Sequence, residues 1–305
     1  INTGSGGSLS NSSDAYNFTV CDGNLYFITG DNMGYPQKIY KYTGSGEPTI
    51  IKESTYLKEL VVLGTDLYFV ARNGNSDPVA NQESLYKYTG SGSPTALTGS
   101  DLLYVDEPTV FNGEIYFSAM TDAYEVKLHK YNGSTVSQVG TTDVCYTQPS
   151  FKMDVFDGKL FLGATNGSDG YEYFECTTAG SFSMIKDINT SGDAFNYHLH
   201  NGNTYDTKSG TRIVTTWGEI FFIANDGTNG QQLWRYDGTD AKKLDNVGSE
   251  PWYVENGNYC TEYDHDFTSW NEDITQLFEF DGRVFFQGND GTNGKEIWAY
   301  YPTTF

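Results

Sequence analysis

The chain alternates between short apolar runs and Gly-, Asn- and Asp-rich punctuation, and the same run keeps returning. "DGNLYF" begins at residue 22, "GTDLYF" at 64, "NGEIYF" at 112, "DGKLFL" at 157, "WGEIFF" at 217 and "DGRVFF" at 281. Turn residues leading into aromatic and β-branched residues predict hairpins. A second run follows each one: "KIYKYTG", "SLYKYTG", "KLHKYNG", "YEYFECT", "QLWRYDG" and "EIWAYYP". Five of these lead into a third, such as "EPTIIKE" or "DAKKLDN", and an apolar piece such as "LKELVV" or "EPTVF" precedes each triplet. Each repeat is therefore four short antiparallel strands joined by tight turns. Triplets such as "LYF", "IFF" and "VFF" are apolar on both faces, as expected of a sheet stacked between two others. A sandwich would leave one wet face per strand, so the pattern predicts an all-β, six-bladed β-propeller in a single domain. The blades fall at about 15–54, 56–99, 103–140, 148–188, 211–248 and 275–305.

The last repeat ends "EIWAYYPTTF" and lacks an outermost strand. "TGSGGSLSNSS" at 3–13 resembles "TGSGEPTIIKES" and "TGSGSPTALTGS", the turn and last strand of the first two repeats. The expectation is that 3–13 completes the last blade, so that both termini close it and no edge stays open. The alternative is that this strand pairs with a neighbouring molecule. Insertions at 187–212 and 248–275 break the rhythm. In a propeller both leave on the face that carries the second-to-third strand turns. Two of those turns are the repeated "NDGTNG" at 225–230 and 289–294. Long loops on a rigid scaffold are where function is expected.

Composition narrows the picture. With 18 Lys+Arg against 40 Asp+Glu the net charge is −22, which would repel a nucleic-acid backbone. No run of apolar residues is long enough to span a membrane. The first residue is Ile1 rather than Met, which suggests either removal of a signal peptide or a fragment. Four cysteines, Cys21, Cys145, Cys176 and Cys260, form no CxxC pair. An even, widely spaced set suits two disulfides in an oxidising compartment, with buried free thiols as the alternative. Neighbouring repeats suggest Cys21–Cys260 and Cys145–Cys176, out of three possible connectivities. N-x-[ST] sequons occur at Asn11, Asn17, Asn132, Asn166 and Asn189. Acidity, cysteines and sequons together point to a secreted glycoprotein, extracellular or at the cell surface.

"FFIANDGTNGQQLWRYDGT" at 221–239 resembles the extracellular repeat written ELWxxDGT, and "FFQGNDGTNGKEIWAYYP" matches its first half. The earlier repeats match in outline, with Tyr40, Tyr86, His129 and Phe174 in the Trp place. The resemblance implies a secreted or surface-attached propeller and brings no catalytic residues with it.

Candidate chemistry is sparse. Counted as a calcium loop, both "NDGTNG" copies put Gly at loop position 3, a ligand position, and Tyr at position 12, where a bidentate Glu is needed. Asn and Gly there instead suit a tight turn. His198, His200 and Asp206, and Asp264, His265 and Asp266, offer two or three metal ligands per cluster, short of a zinc set. Asp106, Glu107, Glu250, Glu255, Glu262 and Asp264 lie near repeat junctions. A glycosidase needs two carboxylates at a set distance, but among 40 acidic residues some pair is bound to be close. Trp252, Tyr253, Tyr259, Tyr263 and Trp270, in the second insertion, could stack on sugars or anchor a partner, or form a small loop core. No nucleophile elbow, phosphate loop or dinucleotide fingerprint is present, and no cofactor is expected. The expected role is a non-enzymatic building block of extracellular assemblies that contacts copies of itself or surface glycans and proteins, including assembly into filaments. The alternatives are a carbohydrate-binding propeller and a glycan-active enzyme.

Overall fold

The computed structural model describes residues 15–30, 36–72, 83–99, 101–121, 125–144, 153–194, 213–228, 231–244, 252–254, 277–289 and 295–302. The chain forms two compact units, Ile1–Thr141 and Thr142–Phe305.

The first unit holds three antiparallel sheets with strands in chain order. They are β1 (Ala15–Cys21), β2 (Asn24–Thr29), β3 (Gln37–Tyr42) and β4 (Thr49–Ser54); β5 (Leu57–Leu63), β6 (Asp66–Arg72), β7 (Glu83–Tyr88) and β8 (Thr95–Ala96); and β9 (Leu102–Phe111), β10 (Glu114–Thr121), β11 (Val126–Tyr131) and β12 (Val136–Val144). The end of β12 lies in the second unit. There Asp143 and Val144 pair with Thr165 and Ala164 of β14, in a sheet of β13 (Asp154–Phe156), β14 (Lys159–Thr165), β15 (Glu172–Cys176) and β16 (Phe182–Met184). Next come β17 (Ile213–Thr216), β18 (Glu219–Asn225), β19 (Gln231–Tyr236) and β20 (Ala241–Lys243). The last sheet contains β21 (Trp252–Val254), β22 (Leu277–Phe280), β23 (Arg283–Asn289) and β24 (Lys295–Pro302), ordered β21-β24-β23-β22.

The turn before each apolar triplet shows why these residues recur. Asp22 and Gly23 have φ 45° and 72°, Asn112 and Gly113 49° and 75°, and Asp281 and Gly282 51° and 66°. Two successive positive φ values make the type I′ turn that matches strand twist, and Asn/Asp-Gly supply them at least cost. Trp217 holds this position at φ 52°, where a bulky residue is strained. It is held there by its ring, which packs edge-on to Phe221 at 5.4 Å and Tyr300 at 6.3 Å.

Sheets within each unit pack in one constant phase. Cys21, Tyr26, Ile28 and Ile39 of the first sheet face Leu67, Phe69, Tyr86 and Tyr88 of the second. The other face of the second, with Val61, Leu63, Tyr68, Val70 and Leu85, meets Ile115, Phe117, Ala119 and Tyr131 of the third. In the second unit Phe161 and Tyr173 lie 5.5 and 4.4 Å from Phe222. Val214, Phe221, Ile223 and Leu233 cover Leu277, Val284, Phe286 and Tyr300. Burial of each such side chain contributes about 1.5–3 kcal/mol. This two-sided burial is why the triplets are apolar throughout.

Two expectations meet the described residues only in part. The outer place in the last sheet, expected for 3–13, belongs to β21, where Trp252, Tyr253 and Val254 pair with Pro302, Tyr301 and Tyr300. An aromatic and β-branched stretch has strong strand preference, and here it covers the edge of β24. Residues 3–13 lie outside the described residues. The two described cysteines are free and buried. Cys21 donates its thiol to the Thr65 carbonyl and Cys176 to that of Thr177, both at 3.4 Å. Cys145 and Cys260, their expected partners, lie outside the described residues.

Candidate functional site

The first strands of the three sheets in the first unit, β1, β5 and β9, lie side by side. Each breaks register with its neighbour at the same place: between Tyr16 and Thr19, between Lys58 and Val61, and beside Asp106, opposite the step from Tyr116 to Ser118. The residue in each bulge has positive φ: Asn17 56°, Glu59 57° and Glu107 52°. Each lies four residues before the end of its strand. A bulge re-aims side chains and twists the strand, and a non-Gly residue at such φ persists only where its surroundings fix it.

Here the surroundings are ionic. The Glu107 amide donates to Glu59 Oε2 and to Asp106 Oδ1, each at 2.9 Å. The Lys58 ammonium sits against Asp106 in a short ion pair. Ser118 Oγ donates to the Asp106 carbonyl at 3.4 Å. The Tyr56 ring lies between two cations, 5.3 Å from Lys58 Nζ and 5.1 Å from the Arg72 guanidinium. Arg72 reaches Glu83 at 3.4 Å. Burial pushes Glu59 up to about 8, and the adjacent Asp106 adds to the shift. Burial likewise lifts Glu83 to about 7 and Tyr56 to about 12. Burial alone would lower Lys58, but Asp106 and Glu59 outweigh it and hold the ammonium well above its usual range.

Carboxylate oxygens of Glu59, Asp106 and Glu107 lie within 4.8 Å of one another. Three hard oxygens could hold a divalent cation. The Lys58 ammonium already supplies positive charge at Asp106, and the Glu107 amide takes up both Glu59 and Asp106. The arrangement is a compensated network that pins two strained bulges.

A second buried carboxylate organises the second unit. Glu172, at the start of β15, accepts the amides of Ile188 and Asn189 at 3.1 and 3.0 Å. Burial lifts it to about 7, against the pull of those two bonds. This ties down 187–194, the described start of the first insertion. Asp193 Oδ1 accepts the Tyr171 amide at 2.8 Å, and the Ala194 carbonyl accepts the Asn225 amide. The segment therefore links the turn after β14 to the first "NDGTNG" copy. In that copy Asn225 and Asp226 accept the amides of Gly227 and Thr228 at 2.8 and 2.9 Å, and Asp226 pairs with Lys243 at 3.1 Å. These side chains close a turn.

The sequence candidates distribute unevenly. Of the sequons, Asn17, Asn132 and Asn166 are exposed. Asn189 is buried, and its amide nitrogen donates to the Asp193 carbonyl at 2.8 Å. That nitrogen is the atom a glycan would need, so the fold uses this sequon as a bracket. Trp252 and Tyr253 lie on the edge strand β21, described by its backbone pairing. Asn11, His198, His200, Tyr259, Tyr263, Asp264, His265, Asp266 and Trp270 lie outside the described residues. Asp106 and Glu107 were legible as carboxylates near a junction. Lys58, Glu59, Arg72 and Glu83 were missed. The signal for them is the repeat register, which places Tyr16-Asn17, Lys58-Glu59 and Asp106-Glu107 at one position in three successive repeats.

No protein-family model and no curated protein matches the chain. Among solved structures it is similar to a prolyl endopeptidase, from work on two such enzymes and their inter-domain dynamics, at 10% identity and TM-score 0.58. That match covers 95% of this chain and 41% of the enzyme, so the chain spans about two fifths of its length. The β-propeller domain of the Trilobed protease from Pyrococcus furiosus matches at 10% identity over 95% of this chain and 81% of that one, with TM-score 0.49. A neuraminidase-like protein from A/bat/Guatemala/164/2009 matches at 11% identity over 96% and 90%, with TM-score 0.46. The first of these is a likeness of fold alone, and the chain is an all-β protein of antiparallel sheets. Among the described residues no helix is long and apolar enough to cross a membrane.

Proposed function

We propose that the chain is a six-bladed β-propeller of the ELWxxDGT type, secreted and non-enzymatic, serving as a building block of cell-surface or extracellular assemblies by binding copies of itself. One observation carries this reading. The carboxylates gathered among the described residues serve the fold: Glu59, Asp106 and Glu172 accept backbone amides, and Glu83 holds Arg72. Exposed sequons at Asn17, Asn132 and Asn166 fit an extracellular setting.

Electron microscopy of the native material tests the reading. Filaments or sheets that bind antibody raised against this chain are expected. Antibody labelling confined to the cell interior, with isolated particles only, would overturn it.

A further inference from the structure

The turn between β11 and β12 carries a side-chain nitrogen that the fold does not use. Asn132 Oδ1 accepts the amides of Ser134 and Thr135 at 3.0 and 2.9 Å and the Ser134 hydroxyl at 3.1 Å. Backbone amides only donate, so these bonds fix which end of the carboxamide is oxygen. Asp237 stands at the same place between β19 and β20. Its Oδ1 accepts the amides of Thr239 and Asp240 at 2.8 and 3.0 Å. The backbone follows the same course, with Gly238 at φ 91° where Gly133 has 96°. A carboxylate therefore closes this turn as a carboxamide does. What Asn132 adds is Nδ2, and among the described residues no group takes it up.

The other described sequons differ at that atom. Asn166 and Asn189 build the same local turn, each Oδ1 accepting the amide and the hydroxyl of the residue two places on. Asn166 Nδ2, though, donates to Asp169 Oδ2 at 2.6 Å, and Asn189 Nδ2 to the Asp193 carbonyl at 2.8 Å. Asn17 lies within β1, paired to β2, in a bulge at φ 56°. Asn132 stands instead on the exposed turn from the third to the fourth strand of its sheet. The counterparts of that turn in the first, second and fifth repeats are exposed too, at 43–47, 91–93 and 239–240. The exposure belongs to this place in each sheet, in either unit.

We propose that Asn132 is a site of N-glycosylation and that Asn189 is not. The donor is a glycosyl diphosphate, presented by a transferase that reads N-x-[ST]. Nδ2 forms a bond to the anomeric carbon of the sugar. The bond from that carbon to the diphosphate oxygen breaks, its electron pair leaves with the diphosphate, and one Nδ2 proton is released. The substituted amide keeps its oxygen, so the bonds that close the turn survive. Asn189 carries the same motif but is 6% exposed, so a sugar on its nitrogen has no room beside Asp193. The inference rests on the secreted reading and names the residue that is modified.

The test is mass spectrometry of tryptic peptides from the native protein. Cleavage after Lys130, Lys152, Lys159, Lys186 and Lys208 places Asn132 in 131–152, Asn166 in 160–186 and Asn189 in 187–208, one sequon each. Peptide 131–152 is expected to carry the added mass of a glycan, and 187–208 to appear only at its unmodified mass. Asn132→Asp leaves the turn its acceptor, as Asp237 does, and is expected to lose the glycan mass while the chain still folds. An unmodified 131–152 overturns the inference. If another sequon is then glycosylated, the secreted reading stands. If none is, antibody labelling of the cell surface decides that reading separately. A glycan on 187–208 overturns the exclusion of Asn189.

Discussion

Lys58 shows how one side chain holds a strained segment. Its ammonium compensates Asp106 beside two carboxylates, Glu59 and Glu107, which sit in bulges at φ 57° and 52°. Removing one partner of a buried ion pair leaves an uncompensated charge and costs about 3–5 kcal/mol. Lys58→Met is therefore expected to lower the denaturation midpoint sharply, measured by tyrosine and tryptophan fluorescence in urea. Loss of less than about 1 kcal/mol would show that the network contributes little. The same cluster predicts a pH dependence. Glu59, Glu83 and Glu172 are raised to about 8, 7 and 7 from 4.5. The folded state binds these protons more readily than the unfolded chain, so their contribution is complete below about pH 4.5 and is lost as pH rises through 7 to 8. Melting temperature is expected to fall across that window, and Glu83→Gln to flatten the fall. A profile that rises from pH 5 to 8 would contradict these protonation states.

At the scale of elements, the segment 187–194 depends on two glycines. A Cβ at Gly227, whose φ is +77°, would meet Asn189 Oδ1, and one at Gly170, at φ +76°, would meet the Gly192 carbonyl. Gly227→Ala is expected to cost about 1–3 kcal/mol from backbone strain and the displaced Asn189 bracket. Hydrogen exchange should show the Ile188 and Asn189 amides losing protection. Unchanged protection would mean that the bracket stands without this close approach. The strands and type I′ turns were legible because period and turn chemistry are local signals. The network was not. Lys58 and Glu59 come to Asp106 through a bulge, and a bulge depends on the neighbouring strand. The Asn189 bracket was hidden for the same reason, since its partner Asp193 acts through fold geometry that a three-residue motif does not contain. The pairing of Trp252–Val254 with β24 was not legible, because this stretch lies within an insertion while 3–13 resembles the other fourth strands in sequence.

At the scale of the whole molecule, charge and apolar surface oppose each other. A net charge of −22 repels copies from one another, and apolar contacts of the proposed assembly would work against it. Raising ionic strength from about 0.01 to 0.15 M shortens the screening length from about 30 to 8 Å, so association is expected to strengthen with salt. An interface held by ion pairs would weaken instead. Sedimentation velocity of the full-length chain across a wide concentration range at fixed salt tests the central claim most directly. A weight-average mass that climbs with concentration through dimer and higher species is the predicted result. A single sharp boundary at the monomer mass over the whole range would contradict it.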